Sequence, residues 1–182
     1  MKPTLIYYVA ASLDGYIARP DGRVDWVETL EQAGDDHGYR RFYESIDGLL
    51  MGRATYEALL AQGGDWPYPG KPCTVLTRVD LPETAPEVRL RRSIPAEAIN
   101  ELAGDGCRRL WLVGGGSLAG TCYAAGLLDE LVVSVMPHLL GAGIPLFAAG
   151  MEHGLKLDEQ HSFANGVVRL HYHLQRNESV IA

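Results

Sequence analysis

The order of hydrophobic segments predicts an α/β domain of three layers, with a mostly parallel central sheet and an antiparallel C-terminal edge. Three observations carry this. Short apolar and β-branched runs alternate with helix-like segments between residues 5 and 136. The run Leu110-Trp-Leu-Val113 ends in Gly114-Gly-Gly116 and passes straight into a helix-like stretch, as a buried parallel strand does when it turns into a helix. The chain then changes character, with two strand-like segments around Asn165-Gly166, the strongest short hairpin signal it contains.

Each element has a local reason. Leu5 to Ala11 is an apolar strand closed by the turn pair Asp14-Gly15, and Pro20-Asp21-Gly22 continues the loop toward Trp26. Asp35 or Asp36 can cap a helix running to about Ser45, with Tyr39, Phe42, Tyr43 and Ile46 on one side. Gly48 to Met51 is a second strand, followed by a helix from Arg53 to about Leu60. Gln62 to Pro72 is a Gly/Pro-rich loop before a strand at Cys73 to Thr77, and a short strand is expected near Val88 to Leu90. Pro95 to Ala103 reads as a helix with proline in its first position. Arg109 to Val113, a helix from Ser117 to Ala125 and a strand at Glu130 to Met136 complete the alternation. Gln160 to Ala164 and Val167 to Gln175 form the terminal hairpin.

Length and composition narrow the function. A chain of 182 residues is most economically one domain with a sizeable core. With 23 acidic against 16 basic residues the net charge is −7, which disfavours nucleic acid or an anionic membrane as partner. The first residues are strand-like rather than a signal peptide, and no apolar run is long enough to span a bilayer. Cys73, Cys107 and Cys122 are odd in number and widely spaced, so they read as buried free thiols of a cytoplasmic protein.

The chemistry gathers at strand ends. Glycines after a strand let a phosphate approach the backbone, where unpaired N–H groups and the helix dipole favour negative charge. Gly114-x-Gly116-x-x-Ala119 formally satisfies the Rossmann pattern. However, it follows several earlier strands, and Met136-Pro137 stands where an acidic residue would hold a ribose. A second phosphate-compatible helix start lies at Gly52-Arg53-Ala54-Thr55, and a third strand ends in Thr77-Arg78. Guanidinium forks and hydroxyls suit a terminal phosphate. Three such ends on neighbouring parallel strands would line one edge of the sheet and favour NADPH over NADH.

Taken in order, Met51-Gly-Arg-Ala-Thr-Tyr-Glu57, Asp65-x-Pro-x-Pro-Gly70, Val75-Leu-Thr-Arg78, Val113-Gly-Gly-Gly116 and Asp129-Glu-Leu131 resemble the dihydrofolate reductases. Ala10-Ala-Ser-Leu-Asp-Gly15 and Pro137-x-x-x-Gly-x-Gly-x-Pro-Leu-Phe147 are more similar to the reductase domain of bifunctional riboflavin-biosynthesis enzymes, without their zinc deaminase half. The resemblance spans nearly the whole chain. It implies a dihydrofolate-reductase-like fold and an NADPH-dependent reductase acting on a C=N or similar bond of a small heterocycle, of pterin or aminopyrimidine type. A catalytically idle binding module on the same fold is the alternative.

By the same resemblance Ala10 and Ile17 would touch the nicotinamide end. Gly52, Arg53, Thr55, Thr77 and Arg78 would hold the adenosine side, and Val113, Gly115, Gly116, Ser117 and Leu118 would cradle the pyrophosphate. Asp36 would be the buried proton source with Ser134 as its partner, against its plainer reading as a helix cap. Asp14 is read as a turn residue or a catalytic contact.

Lys71 in place of a substrate-gripping arginine, and Ala119 in place of a tyrosine, turn the pocket away from folate itself. His171 and His173 share a strand face, but with no third ligand in view no metal is expected. Resemblance to the riboflavin-reductase branch, whose members are commonly dimers, the mixed face of the terminal hairpin and the apolar loop Gly141–Phe147 lead to the expectation of a homodimer through the C-terminal third.

Overall fold

A computed structural model describes residues 2–27, 36–147 and 152–174. The strands are β1 (Thr4–Ser12), β2 (Tyr16–Ala18), β3 (Gly48–Gly52), β4 (Cys73–Leu76), β5 (Val88–Arg91), β6 (Arg109–Gly114), β7 (Glu130–Met136), β8 (Ile144–Pro145), β9 (Leu155–Ser162) and β10 (Val168–Leu174). The helices are α1 (Tyr39–Ser45), α2 (Arg53–Gln62), α3 (Pro95–Gly104) and α4 (Gly116–Ala124). Eight strands form one sheet in the order β5-β4-β3-β6-β1-β7-β10-β9, and β2 pairs with β8 in a separate small sheet. From β5 to β7 every pairing is parallel, whereas β7–β10 and β10–β9 are antiparallel. This is the architecture expected from the segment order.

Alternation along β1 divides the core. Leu5, Tyr7 and Ala11 face α3 and α4, where Ile99, Leu102, Ala119 and Cys122 are buried. Ile6 and Tyr8 face the other way, among Leu49, Met51, Trp111 and Tyr56 of α2, with Phe42 and Tyr43 of α1 packed against them. Because a strand's side chains alternate, buried apolar residues at four successive positions, Leu5 to Tyr8, mean that both faces are covered. The second face is rich in rings: Tyr8 stacks on Phe42 with centroids 4.1 Å apart, and Trp111 donates from Nε1 to Tyr8 O at 3.0 Å. All three cysteines are buried free thiols, and burial pushes Cys73 and Cys122 up to about 12.

Two expectations shift in detail. Helix α1 begins at Tyr39, after His37 and Gly38 with φ of 49° and 79°, because two successive left-handed residues cannot belong to the helix. Asp35 lies outside the described residues. At the hairpin Asn165 does not take the positive φ of a two-residue turn. Gly166 does (φ 86°), behind a turn closed by Gly166 N donating to Phe163 O at 3.0 Å. The loop is therefore longer, the Asn165 side chain is released for another use, and β9 starts earlier than expected, at Leu155. Every residue of β9 is exposed.

The segment after β7 crosses the molecule as a strap. His138 O accepts from Leu13 N, Leu146 N donates to Gly15 O at 2.9 Å, and Tyr7 donates its hydroxyl to Leu146 O at 3.2 Å. Phe147 packs edge-on to Tyr7. The strap fits because two glycines have no side chain. A Cβ on Gly116 would collide with Pro145 O and lie 3.0 Å from Leu146 O, and one on Gly143 would collide with Ala18 O. Gly116→Ala should therefore cost about 1–3 kcal/mol, since the obstructing atoms are backbone and cannot swing aside. Gly104→Ala, which meets nothing within 4 Å, should leave the urea midpoint unchanged or raised; equal midpoints for the two variants would contradict the fit.

Candidate functional site

The C-terminal ends of β4, β3 and β6 are neighbours in the sheet, and the phosphate-compatible segments lie on them. Gly52 closes β3 and caps α2; Gly115 follows β6 and caps α4. Neither helix has a side-chain cap bond or an acidic residue in its first turn, so the positive ends of two helix dipoles open at one sheet edge. Thr55 joins the two turns: Cβ atoms on Gly114 and Gly115 would lie 3.4 and 4.0 Å from its hydroxyl. Gly52 approaches Gly114 O and Leu118 in turn, at 3.7 Å from its Cβ direction.

A groove of about 540 Å³ runs from this edge between Arg53, Leu76, Thr77, Arg78, Leu118 and Thr121. Arg78 is exposed and has no ion-pair partner among the described residues, while Arg53 makes only a 3.7 Å exposed pair with Glu57. Arg91 and Arg92 also border the groove but are held by Glu101 and Asp80, and Arg89 is taken by Glu101 and Asp105. Thr77 is different from the sequence reading. Its hydroxyl donates to Val79 O at 2.9 Å and accepts from Val79 N at 3.1 Å, so it shapes the turn that presents Arg78. Gly116 is likewise committed, to the strap, while Ser117 is exposed on the first turn of α4 and Val113 is half-buried against the aromatic face. Ala119 is fully buried under α4 and faces the core rather than the groove.

The proposed substrate side divides. Ala10 belongs to a cluster with Trp26, Met136, Phe163 and Val167, whereas Ile17 packs with the core on the other face of the sheet. Ser134 is buried beside Ala10, its register partner on β1, and beside Arg169 on β10.

Both carboxylates do structural work. Asp36 is exposed, accepts from Arg40 N at 3.0 Å and Gly38 N at 2.9 Å, and these donors hold its carboxyl below the ordinary range. It thus caps α1 from three residues before the helix's first residue, Tyr39. Asp14 accepts from the Ser12 hydroxyl at 2.6 Å and from Leu140 N and Gly141 N at 3.1 and 2.7 Å, which fastens the strap to the end of β1. No hydrogen bond joins either carboxylate to Ser134.

Three residues that sequence reasoning did not single out meet beside β7: His37, Asn165 and Arg169. His37 is buried, with Nε2 2.8 Å from Asn165 Nδ2; Arg169 donates to His37 O at 2.9 Å and occupies the space above Gly38. Asn165-Gly166 announced a turn, and nothing in its spacing told of the histidine 128 positions away. Lys71 is also not an open ligand: it donates to Ile46 O and lies 4.8 Å above the Tyr43 ring. Trp66 anchors its loop through Nε1 to Tyr68 O.

The fold and this phosphate-compatible edge define a reductase-like α/β protein of the dihydrofolate reductase type. The model of the RibD C-terminal domain matches residues 69–169, more than half of the chain, and the protein belongs to that family. It is 33% identical over 179 residues to the uncharacterized protein YwjB of Bacillus subtilis (strain 168), covering 94% of this chain and 98% of that one. The crystal structure of a putative riboflavin biosynthesis protein from Shewanella sp. PV-4 superposes with a TM-score of 0.84 at 31% identity, covering 95% and 99% of the two chains. A diaminohydroxyphosphoribosylaminopyrimidine deaminase/5-amino-6-(5-phosphoribosylamino)uracil reductase from Thermotoga maritima shares the fold, with a TM-score of 0.69 at 15% identity. This chain covers 96% of its own length but 57% of that protein. No described helix is long and apolar enough to cross a membrane.

The Asp14 clamp carries a pH signature. Its donors lower the carboxyl from the ordinary 3.8 to about 2. A depressed folded-state value gives stability that is present above the unfolded value and is lost as pH falls through the folded one. The melting-temperature gap between wild type and Asp14→Asn should therefore be constant above pH ~5 and close progressively toward pH ~2. A gap that widens on acidification would contradict the clamp.

Proposed function

We propose that the protein is an NADPH-dependent reductase that delivers hydride to a C=N or similar bond of a small heterocycle, of pterin or aminopyrimidine type. The observation that carries this is the convergence, on one groove at the sheet edge, of two helix N-termini without side-chain caps and of Arg78, which has no ion-pair partner among the described residues. The donor set fits a phosphorylated dinucleotide: backbone N–H groups for the pyrophosphate and guanidinium groups for the further phosphate. Membership of the RibD C-terminal domain family supports the same reading.

When bound, the cofactor would supply the hydride; the protein's part is position and electrostatics. Gly115, Ser117 and Leu118 would hold the pyrophosphate at the start of α4, and Arg78 with Arg53 would meet the 2′-phosphate. Ala10, carrying only a methyl group on the half-buried end of β1, leaves room for a flat ring. Ser134, His37 and Arg169 would present polar groups to the substrate on that side, with Trp26 and Phe163 excluding water. Asp14 and Asp36 act through the backbone, by fastening the strap and by setting the start of α1 beside His37.

Arg78→Ala should weaken NADPH binding about 10- to 150-fold, from a charge-assisted bond of roughly 1.5–3 kcal/mol, and leave NADH nearly unaffected. Calorimetry with both cofactors checks this, and equal losses would reject the 2′-phosphate assignment.

A panel of pteridines and aminopyrimidines, followed by the loss of NADPH absorbance, tests the activity itself. Turnover on a panel member is expected; tight NADPH binding without turnover on any would leave a binding module. With an active substrate in hand, Asp36→Asn should lower the melting temperature and keep the pH profile of turnover. A selective loss of rate at high pH would instead make the carboxylate the proton source.

A further inference from the structure

We propose that Asp158, His171 and His173 form a site for a divalent transition ion, with zinc the best match, on the exposed edge of the terminal hairpin. The three ligand atoms lie within 4.8 Å of one another. Asp158 Oδ2 is 3.4 Å from His173 Nε2 and 3.7 Å from His171 Nδ1. Two ligands at 2.0–2.2 Å from a tetrahedral zinc are roughly 3.3–3.6 Å apart, so one small rotation brings both pairs to coordination geometry. The site lies apart from the cofactor groove, whose strand ends are at the other side of the sheet.

The third ligand is delivered by a backbone irregularity. In the β9–β10 ladder His171 faces Glu159 and Tyr172 faces Leu157, which leaves Asp158 as an extra residue with no partner. Strict alternation would put Asp158 and Glu159 on opposite faces. Instead Glu159 reaches Arg169 while Asp158 reaches His171 and His173, all on one face. Such a bulge turns a side chain toward a place that a regular strand cannot reach.

The other nitrogen of His171 is also engaged. Its Nε2 lies 3.0 Å from Glu130 Oε2, a buried carboxylate that Arg109 also contacts. An imidazole that donates from Nε2 to a carboxylate keeps Nδ1 free as a ligand, the usual second-layer arrangement of metal-binding histidines. Two imidazoles and one carboxylate suit zinc and its neighbours rather than magnesium or calcium, which call for oxygen cages. His173 and Asp158 are about half exposed, which gives an ion entry and leaves a coordination position for water.

Calorimetric titration of tag-free, chelator-treated protein with zinc chloride should give one ion per chain, and magnesium chloride should give no binding. His173→Ala and Asp158→Asn, both at exposed positions, should each weaken zinc binding at least about 10-fold without changing the far-ultraviolet circular dichroism. In addition, Co²⁺ loading should produce visible absorption bands that both variants lose. Absence of one-to-one zinc binding, or binding that survives both substitutions, would reduce the cluster to a plain set of ion pairs and overturn the proposal. The readouts do not depend on reductase activity, so the result stands apart from the functional reading.

Discussion

Parallel pairing at β4, β3 and β6 is the constraint on which the rest depends. Parallel strands of matched register end at the same level, and the helices that follow must begin there. Gly52 and Gly115 therefore cap two helices a few ångströms apart, with Thr55 between them, and the turn at Thr77 brings Arg78 to the same edge. None of these residues makes an anion site alone. What concentrates the donors is sheet topology, and the sheet is held by side chains on both its faces, from Leu5 and Tyr7 to Ile6 and Trp111.

Backbone accounting explains the contacts of two acidic residues, Asp14 and Asp36. The turns at residues 36–40 and 138–141 expose N–H groups that no helix or ladder satisfies, and a carboxylate is the strongest acceptor at hand. Asp36 and Asp14 answer that need and are held ionised by it. The buried polar side chains in this region are Ser134, the register partner of Ala10, and His37, whose carbonyl accepts from the half-buried Arg169.

Much of the fold was legible in the sequence because each signal is local. Alternating apolar runs, Pro95 at a helix start and Gly166 in a turn depend on neighbours within a few positions. The three strand ends were legible as candidates, since glycine, threonine and arginine have few other reasons to close buried strands. What stayed hidden depended on distant contacts. Gly116 reads as a phosphate glycine, and no local signal tells that its missing side chain also makes room for the strap at Pro145. Thr77 looked like a ligand and is spent on Val79. His37 had no motif, and its partner Asn165 looked like a turn residue only. Asp158 acquires its place from a bulge, which leaves no periodic trace because it is the break in the period.

The strap has a consequence for how this scaffold can diversify. It touches the start of α4 at Gly116, the end of β1 through Asp14, and the small β2–β8 sheet, so a change within it is felt at all three together. The cluster of Trp26, Phe163 and Val167 packs on the strap as well, through Leu140 and the stacking of Trp26 on His138. Substitutions in that cluster therefore press on the strap at residues 138–140, away from its close fit at Gly116. Variation is therefore least tolerated where the strap meets backbone, at Gly116 and Gly143, and that fit is the part that must be inherited unchanged.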